Sequence, residues 1–226
     1  MSVNGKSQRV RIGVLASGRG SNLQAIIDAV EAGTVQAQIV VVISNKRDAA
    51  ALERARRHGV HDVFVDPKPF AGQPDSREAY DRAVLDVLHK YEVELVLLAG
   101  YMKIVTSVLI QAFENRIMNI HPSLLPAFPG LDVQKKALEW GVKVAGCTVH
   151  FVTPGVDEGP IIIQAAIPVL DQDSPETLAA RILAEEHRIY PKAVQLYAEG
   201  RLQVEGRRVR VAGLPEATTK ALLNPS

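Results

Sequence analysis

Asn119 and His121 stand two residues apart at the end of the apolar run 117–120, and Pro122-Ser123-Leu124-Leu125-Pro126 follows at once. In an extended chain, residues two apart project to the same side, so an amide and an imidazole would share one crevice. Pro122 and Pro126 stop a strand and stiffen the segment leaving it. Such a pair suits acyl-type transfer. A tetrahedral oxyanion needs fixed donors, and an attacking amine must lose a proton that some group carries. Taken alone, His121 also reads as a structural histidine beside a proline turn. Asp157, between Gly155 and Gly159, alone reads as a turn carboxylate.

A second constellation follows the first apolar run: Ala16-Ser17-Gly18-Arg19-Gly20-Ser21-Asn22, leading into a predicted helix. Glycines let backbone approach a ligand closely, and the free N–H groups and dipole of a new helix favour an anion. Ser21 and Asn22 would add side-chain donors. Leu23 occupies the place of the third glycine of a dinucleotide fingerprint. Ile43-Ser44-Asn45 puts no acidic residue after the second run, and no Walker lysine opens the helix. The loop therefore suits a single phosphate such as that of a phosphosugar, with a plain structural turn as the alternative.

The elements that must position these residues alternate. Strands are expected at 10–16, 39–44, 63–65, 95–99 and 117–120, and helices at 21–32, 48–58 and 76–90. Asp48 is placed as a helix cap and Gly59 just past that helix's end. Apolar strands separated by amphipathic helices predict an α/β, Rossmann-like fold: a mostly parallel twisted sheet with helices on both faces. Ligands bind such sheets along the edge where strands hand over to loops. From residue 144 the rhythm changes. Runs 144–152 and 160–169 read as antiparallel additions, a long helix is expected over 174–198, and 202–211 alternates around Gly206 as a closing hairpin. The C-terminal side is thus expected to extend the sheet in antiparallel fashion. Without repeats or linkers, the chain reads as one domain over 1–226, with a core of about 10–202, halves at 10–100 and 100–202, and a hairpin to about 214. The last dozen residues are expected to be loose.

Composition narrows the function classes. Lys and Arg total 26 against 25 Asp and Glu, so no net field draws nucleic acid or an anionic membrane. Arg54, Arg56 and Arg57 read as the wet face of a helix. Cys147 is the single cysteine, which excludes a disulfide framework or cysteine zinc site within the chain and suits a reducing, cytoplasmic compartment. Residues 1–9 lack an apolar run of signal-peptide length, and no apolar run approaches a membrane span. His58, His61, His89, His150 and His187 lack partners suited to a metal, and His150, on a strand, reads as a structural histidine.

Asn119-Ile120-His121-Pro122-Ser123-Leu124-Leu125-Pro126 resembles the signature of the 10-formyltetrahydrofolate-dependent formyltransferase superfamily. The likeness extends through Gly100-Tyr101-Met102-Lys103-Ile104-Val105, Pro129-Gly130-Leu131, 149–153 and 157–162, spanning about 12–202. Gly20-Ser21-Asn22 and the stretches 75–82 and 185–191 resemble the branch acting on glycinamide ribonucleotide. That resemblance implies formyl transfer from 10-formyltetrahydrofolate, as co-substrate and without a metal, to the amine of glycinamide ribonucleotide in purine biosynthesis. It assigns catalysis to Asn119, His121 and Asp157, with the carboxylate favouring the imidazolium. Gly20, Ser21 and Asn22 would hold the phosphate and Glu186 the ribose hydroxyls. Met102, Lys103, Ile104 and Val105 would meet the folate with backbone groups, joined by Asn119, Asp157 and an anion contact from Arg77. The first half would thus serve phosphate binding, the second folate and catalysis. Lys103 departs from the arginine common in relatives, which a backbone contact would survive. The expected partners are these small molecules, with no nucleic acid or membrane, in a monomer or homodimer. Two alternatives remain: a formyltetrahydrofolate hydrolase, which would need no phosphate cradle, and a non-enzymatic phosphosugar- or folate-binding protein.

Overall fold

The structure, a computed structural model, describes residues 9–213; the tail expected to be loose lies outside them. The strands are β1 (Val10–Leu15), β2 (Ala37–Ser44), β3 (His61–Phe64), β4 (Leu95–Leu98), β5 (Ile117–His121), β6 (Val144–Phe151), β7 (Ile161–Pro168), β8 (Leu202–Glu205) and β9 (Arg208–Val211). The helices are α1 (Ser21–Glu31), α2 (Ala50–Arg57), α3 (Ser76–Lys90), α4 (Ser107–Ala112), α5 (Val133–Glu139) and α6 (Pro175–Ala198). The strands form one sheet in the order β3-β2-β1-β4-β5-β6-β7-β9-β8. β3 through β5 in that order run parallel, β5–β6, β6–β7 and β8–β9 are antiparallel, and β7–β9 is parallel. This is the expected α/β sheet with its antiparallel C-terminal side.

Period-two geometry explains why the central strands are apolar throughout. Ile12, Val14, Leu95 and Leu97 enter a core under α1, α2, α5 and α6, whereas Leu15, Val96 and Leu98 enter a second core under α3 and α4. Both faces are covered, so neither can be polar. α6 opens with the Ser174–Thr177 pair as a reciprocal capping box. Its Tyr190, fully buried, places Oη 3.1 Å from the Leu98 carbonyl and 3.0 Å from that of Met118. The helix is thereby pinned to the last residue of β4 and to β5 one residue before Asn119.

Several local readings change. Ala49, not Asp48, is the N-cap of α2, and no side chain caps it. β3 begins at His61 because pairing with β2 (Val41↔His61) sets its bounds; its residues are half-buried or exposed, so hydrophobicity marks it poorly. α4 and α5, of six and seven residues, are shorter than the windows in which periodicity reveals a helix.

Candidate active site

The loop after β1 carries Gly20 to the N-cap of α1 at φ 70°, ψ 32°. A Cβ there would also lie 2.9 Å from Ala51 Cβ, so glycine is required by conformation and by space. No side chain caps α1 and no acidic residue occupies its first turn. Its leading N–H groups therefore keep their capacity for an anion. The Asn22 side chain is engaged within the protein. Its Nδ2 donates to Glu186 Oε2 at 2.7 Å, and its Oδ1 is buried without a partner. A carboxylate in a dry site recruits the nearest N–H, and here that contact joins α1 to α6. Burial pushes the Glu186 carboxyl above its ordinary value, partly offset by the Asn22 donor.

Ser17 joins three loops. Its Oγ donates to Asn45 Oδ1 at 2.6 Å and accepts the Met102 N–H at 2.8 Å. The Met102 N–H is thus engaged inside the protein rather than free for a ligand. The backbone groups of Lys103, Ile104 and Val105 have no hydrogen-bond partner among the described residues. Met102 and Ile104 side chains stand 66% and 57% exposed, whereas Lys103 Nζ lies 4.6 Å from the centroid of the Tyr80 ring. Arg77 is exposed near the start of α3.

The third group gathers where β5 meets β6. His121 Nδ1 lies 3.4 Å from Asp157 Oδ2, and its Nε2 donates to the Phe128 carbonyl at 2.9 Å. Both ring nitrogens thus face oxygen acceptors, an arrangement that a ring carrying two protons satisfies. Asp157 sits at φ 56°, a left-handed conformation that aspartate tolerates, and accepts the Gly130 N–H at 2.9 Å. A Cβ on neighbouring Gly159 would fall 1.7 Å from the Phe151 carbonyl, so the loop can fold back tightly only with glycine there. Burial alone would raise the Asp157 carboxyl, but the neighbouring His150 imidazole, the Gly130 N–H and the His121 imidazole leave it below its ordinary value.

His150, read from the sequence as a structural histidine, is buried with partners for both ring nitrogens, and it also lies beside this group. Asn119 pairs with it across the antiparallel ladder, Asn119 Nδ2 lies 3.2 Å from His150 Nε2, and that nitrogen is 3.7 Å from Asp157 Oδ1. Its Nδ1 donates to the Phe151 carbonyl at 2.8 Å. The missed signal was the period-two alternation of β6, which puts Thr148 and His150 on one face opposite His121 and Asn119. Thr148 Oγ1 donates to the Ser123 carbonyl at 2.7 Å and accepts the Leu125 N–H at 3.0 Å, which holds the proline loop in place. The structure therefore brings Asn119, His121 and Asp157 together, and separately Asn22 and Glu186. The arrangement offers amide donors, an imidazole and a carboxylate around one point, the equipment for stabilising an oxyanion and handling a proton.

Among the described residues no helix is long and apolar enough to cross a membrane, and no group of three or more His, Cys, Asp or Glu is placed to hold a metal ion. Residues 10–194 match the family described as formyl transferase. The chain is 44% identical over 195 residues to a phosphoribosylglycinamide formyltransferase of Escherichia coli strain K12, covering 86% of this chain and 90% of that one. It is 49% identical over 197 residues to the trifunctional purine biosynthetic protein adenosine-3 of Drosophila pseudoobscura pseudoobscura, covering 86% of this chain but 14% of that protein. The crystal structure of glycinamide ribonucleotide transformylase 1 from Symbiobacterium toebii superposes with a TM-score of 0.89 at 58% identity, covering 93% and 98% of the two chains.

Proposed function

This chain belongs to the formyl transferase family, and we propose that it moves the formyl group of 10-formyltetrahydrofolate onto the amine of glycinamide ribonucleotide, a step of purine biosynthesis in the cytoplasm. The single observation that carries this reading is the His121–Asp157 pair, 3.4 Å apart on different segments, with the His150 ring between Asp157, at 3.7 Å, and Asn119, at 3.2 Å. The phosphate of the acceptor would lie on the free N–H groups of Gly20 to Asn22, and Glu186 would accept from its ribose hydroxyls. The folate would present its ring edge to the unpartnered backbone of Lys103 to Val105, with Arg77 free to meet an anion.

The substrate nitrogen attacks the formyl carbon, and the carbonyl electron pair moves onto oxygen. Asn119 Nδ2 carries two N–H bonds, of which His150 can occupy one, leaving the other for that oxyanion. His121, held between Asp157 and the Phe128 carbonyl, supplies positive charge beside it. Collapse of the adduct breaks the bond to N10 of the folate, which takes up a proton as the amine loses one. Asp157 maintains the charge balance throughout. The test is release of tetrahydrofolate from 10-formyltetrahydrofolate, measured with and without glycinamide ribonucleotide. Consumption should require the acceptor; equal rates without it would mark the protein as a hydrolase.

A further inference from the structure

The turn Tyr101–Thr106 has no regular secondary structure, yet α3 holds it at three points. Tyr101 Oη donates to Tyr80 Oη at 3.3 Å, and Lys103 Nζ lies 4.6 Å from the centroid of the same Tyr80 ring. The third point is Asp81, next in sequence and only 1% exposed. Its Oδ2 accepts the Thr106 N–H at 2.6 Å, at the residue that caps α4. The Thr106 hydroxyl is buried beside that carboxylate without a hydrogen bond of good geometry. Burial pushes the Asp81 carboxyl up, while the Thr106 N–H and the Lys103 ammonium pull it down. Between these anchors lie the backbone groups of Lys103, Ile104 and Val105, which have no hydrogen-bond partner among the described residues.

A buried carboxylate is costly to keep, and one that grips a loop N–H fixes that loop more firmly than a neutral acceptor does. Nothing in the acid–base group around His121 touches Asp81. We infer that Asp81 is a positioning residue for the co-substrate: through Thr106 it sets the backbone edge of Lys103 to Val105 against which the folate ring is read. This rests on the proposed function, since it names the element that aligns one of the two substrates. It also assigns a role to the α3 stretch that Arg77 alone does not explain.

The test compares Asp81→Ala and Asp81→Asn with the wild-type enzyme, measuring KM for each substrate separately and checking folding by thermal unfolding. Asn keeps an oxygen that can accept the Thr106 N–H; Ala does not. Asp81→Ala should raise the KM for 10-formyltetrahydrofolate about tenfold, the scale of one lost charge-assisted contact, with the KM for glycinamide ribonucleotide within about twofold. Asp81→Asn should return the folate KM to within about threefold of wild type. Should Asp81→Ala not fold, Thr106→Pro deletes the donor of the same bond at a residue whose φ of −90° lies near the proline range, and must give the same selective rise. Equal changes for both substrates, no change in either, or an Asn variant as impaired as Ala would overturn the assignment. A wild-type enzyme that did not use the two substrates would instead overturn the functional reading beneath it.

Discussion

Asn119 and His150 face each other across β5 and β6, amide nitrogen to ring nitrogen at 3.2 Å, and the same ring nitrogen lies 3.7 Å from Asp157. His150 thus lies beside two of the three proposed catalytic side chains, on a strand that carries neither. It is 2% exposed, so its ring is also part of the packing. His150→Phe keeps the ring's bulk but removes both nitrogens. A fall in kcat of about 10–100-fold is expected, the scale of slight misplacement of reacting groups, with the unfolding temperature nearly kept. An unimpaired, equally stable variant would reduce His150 to a space-filling role.

Asn119→Ala removes the donor proposed to meet the oxyanion. Because that contact strengthens as charge develops, kcat should fall roughly 10²–10³-fold while folate binding changes less. The measurement is steady-state kinetics alongside direct binding of tetrahydrofolate. Retention of more than about half the rate would remove Asn119 from the mechanism, given what such donors usually contribute.

Asp157→Asn deletes a charge while keeping the side chain's shape. At neutral pH kcat should drop roughly 10²–10⁴-fold, the range for losing positioned acid–base help. The stability effect has a definite sign. The folded protein holds the Asp157 carboxyl below its ordinary 3.8, so its ionisation stabilises the fold above that pH. That contribution is lost as pH falls through the depressed value. The difference in unfolding temperature between wild type and variant should therefore be widest above pH 3.8 and close on acidification. A constant difference across that range would sever Asp157 from its partners.

Glu186→Gln tests the acceptor side. Burial raises this carboxyl above its ordinary 4.5, so protonation favours the folded state and wild type loses stability as pH rises from 4.5 through the raised value. The Gln variant does not titrate there. It should match wild type in acid and unfold at a higher temperature than wild type near neutrality. The KM for glycinamide ribonucleotide should rise several-fold to about tenfold through loss of a strong acceptor for the ribose hydroxyls. A more stable variant with an unchanged KM would show that Glu186 serves packing against Asn22 and not the substrate.

The sequence by itself determined the elements whose physics is local. Apolar runs such as Leu95–Leu98 can lie only in a strand covered on both faces, and Ser174 with Thr177 marked the start of α6. The glycines of the first loop marked a turn into α1, and the spacing of Asn119 and His121 put them on one side of β5. What tertiary structure decided were the relations among distant segments. Asp157 reaches His121 because β6 returns antiparallel to β5 and its following loop folds back through Gly159; no spacing along the chain encodes that approach. Strand register made His150 a neighbour of Asn119, and the packing of α1 on α6 gave the Asn22 amide to Glu186 rather than leaving it free. Only the docking of α3 against the turn before α4 buried Asp81 on a backbone N–H. Backbone preference and hydrophobic period act over a few residues, whereas burial and the pairing of polar groups depend on which surfaces the completed sheet brings into contact.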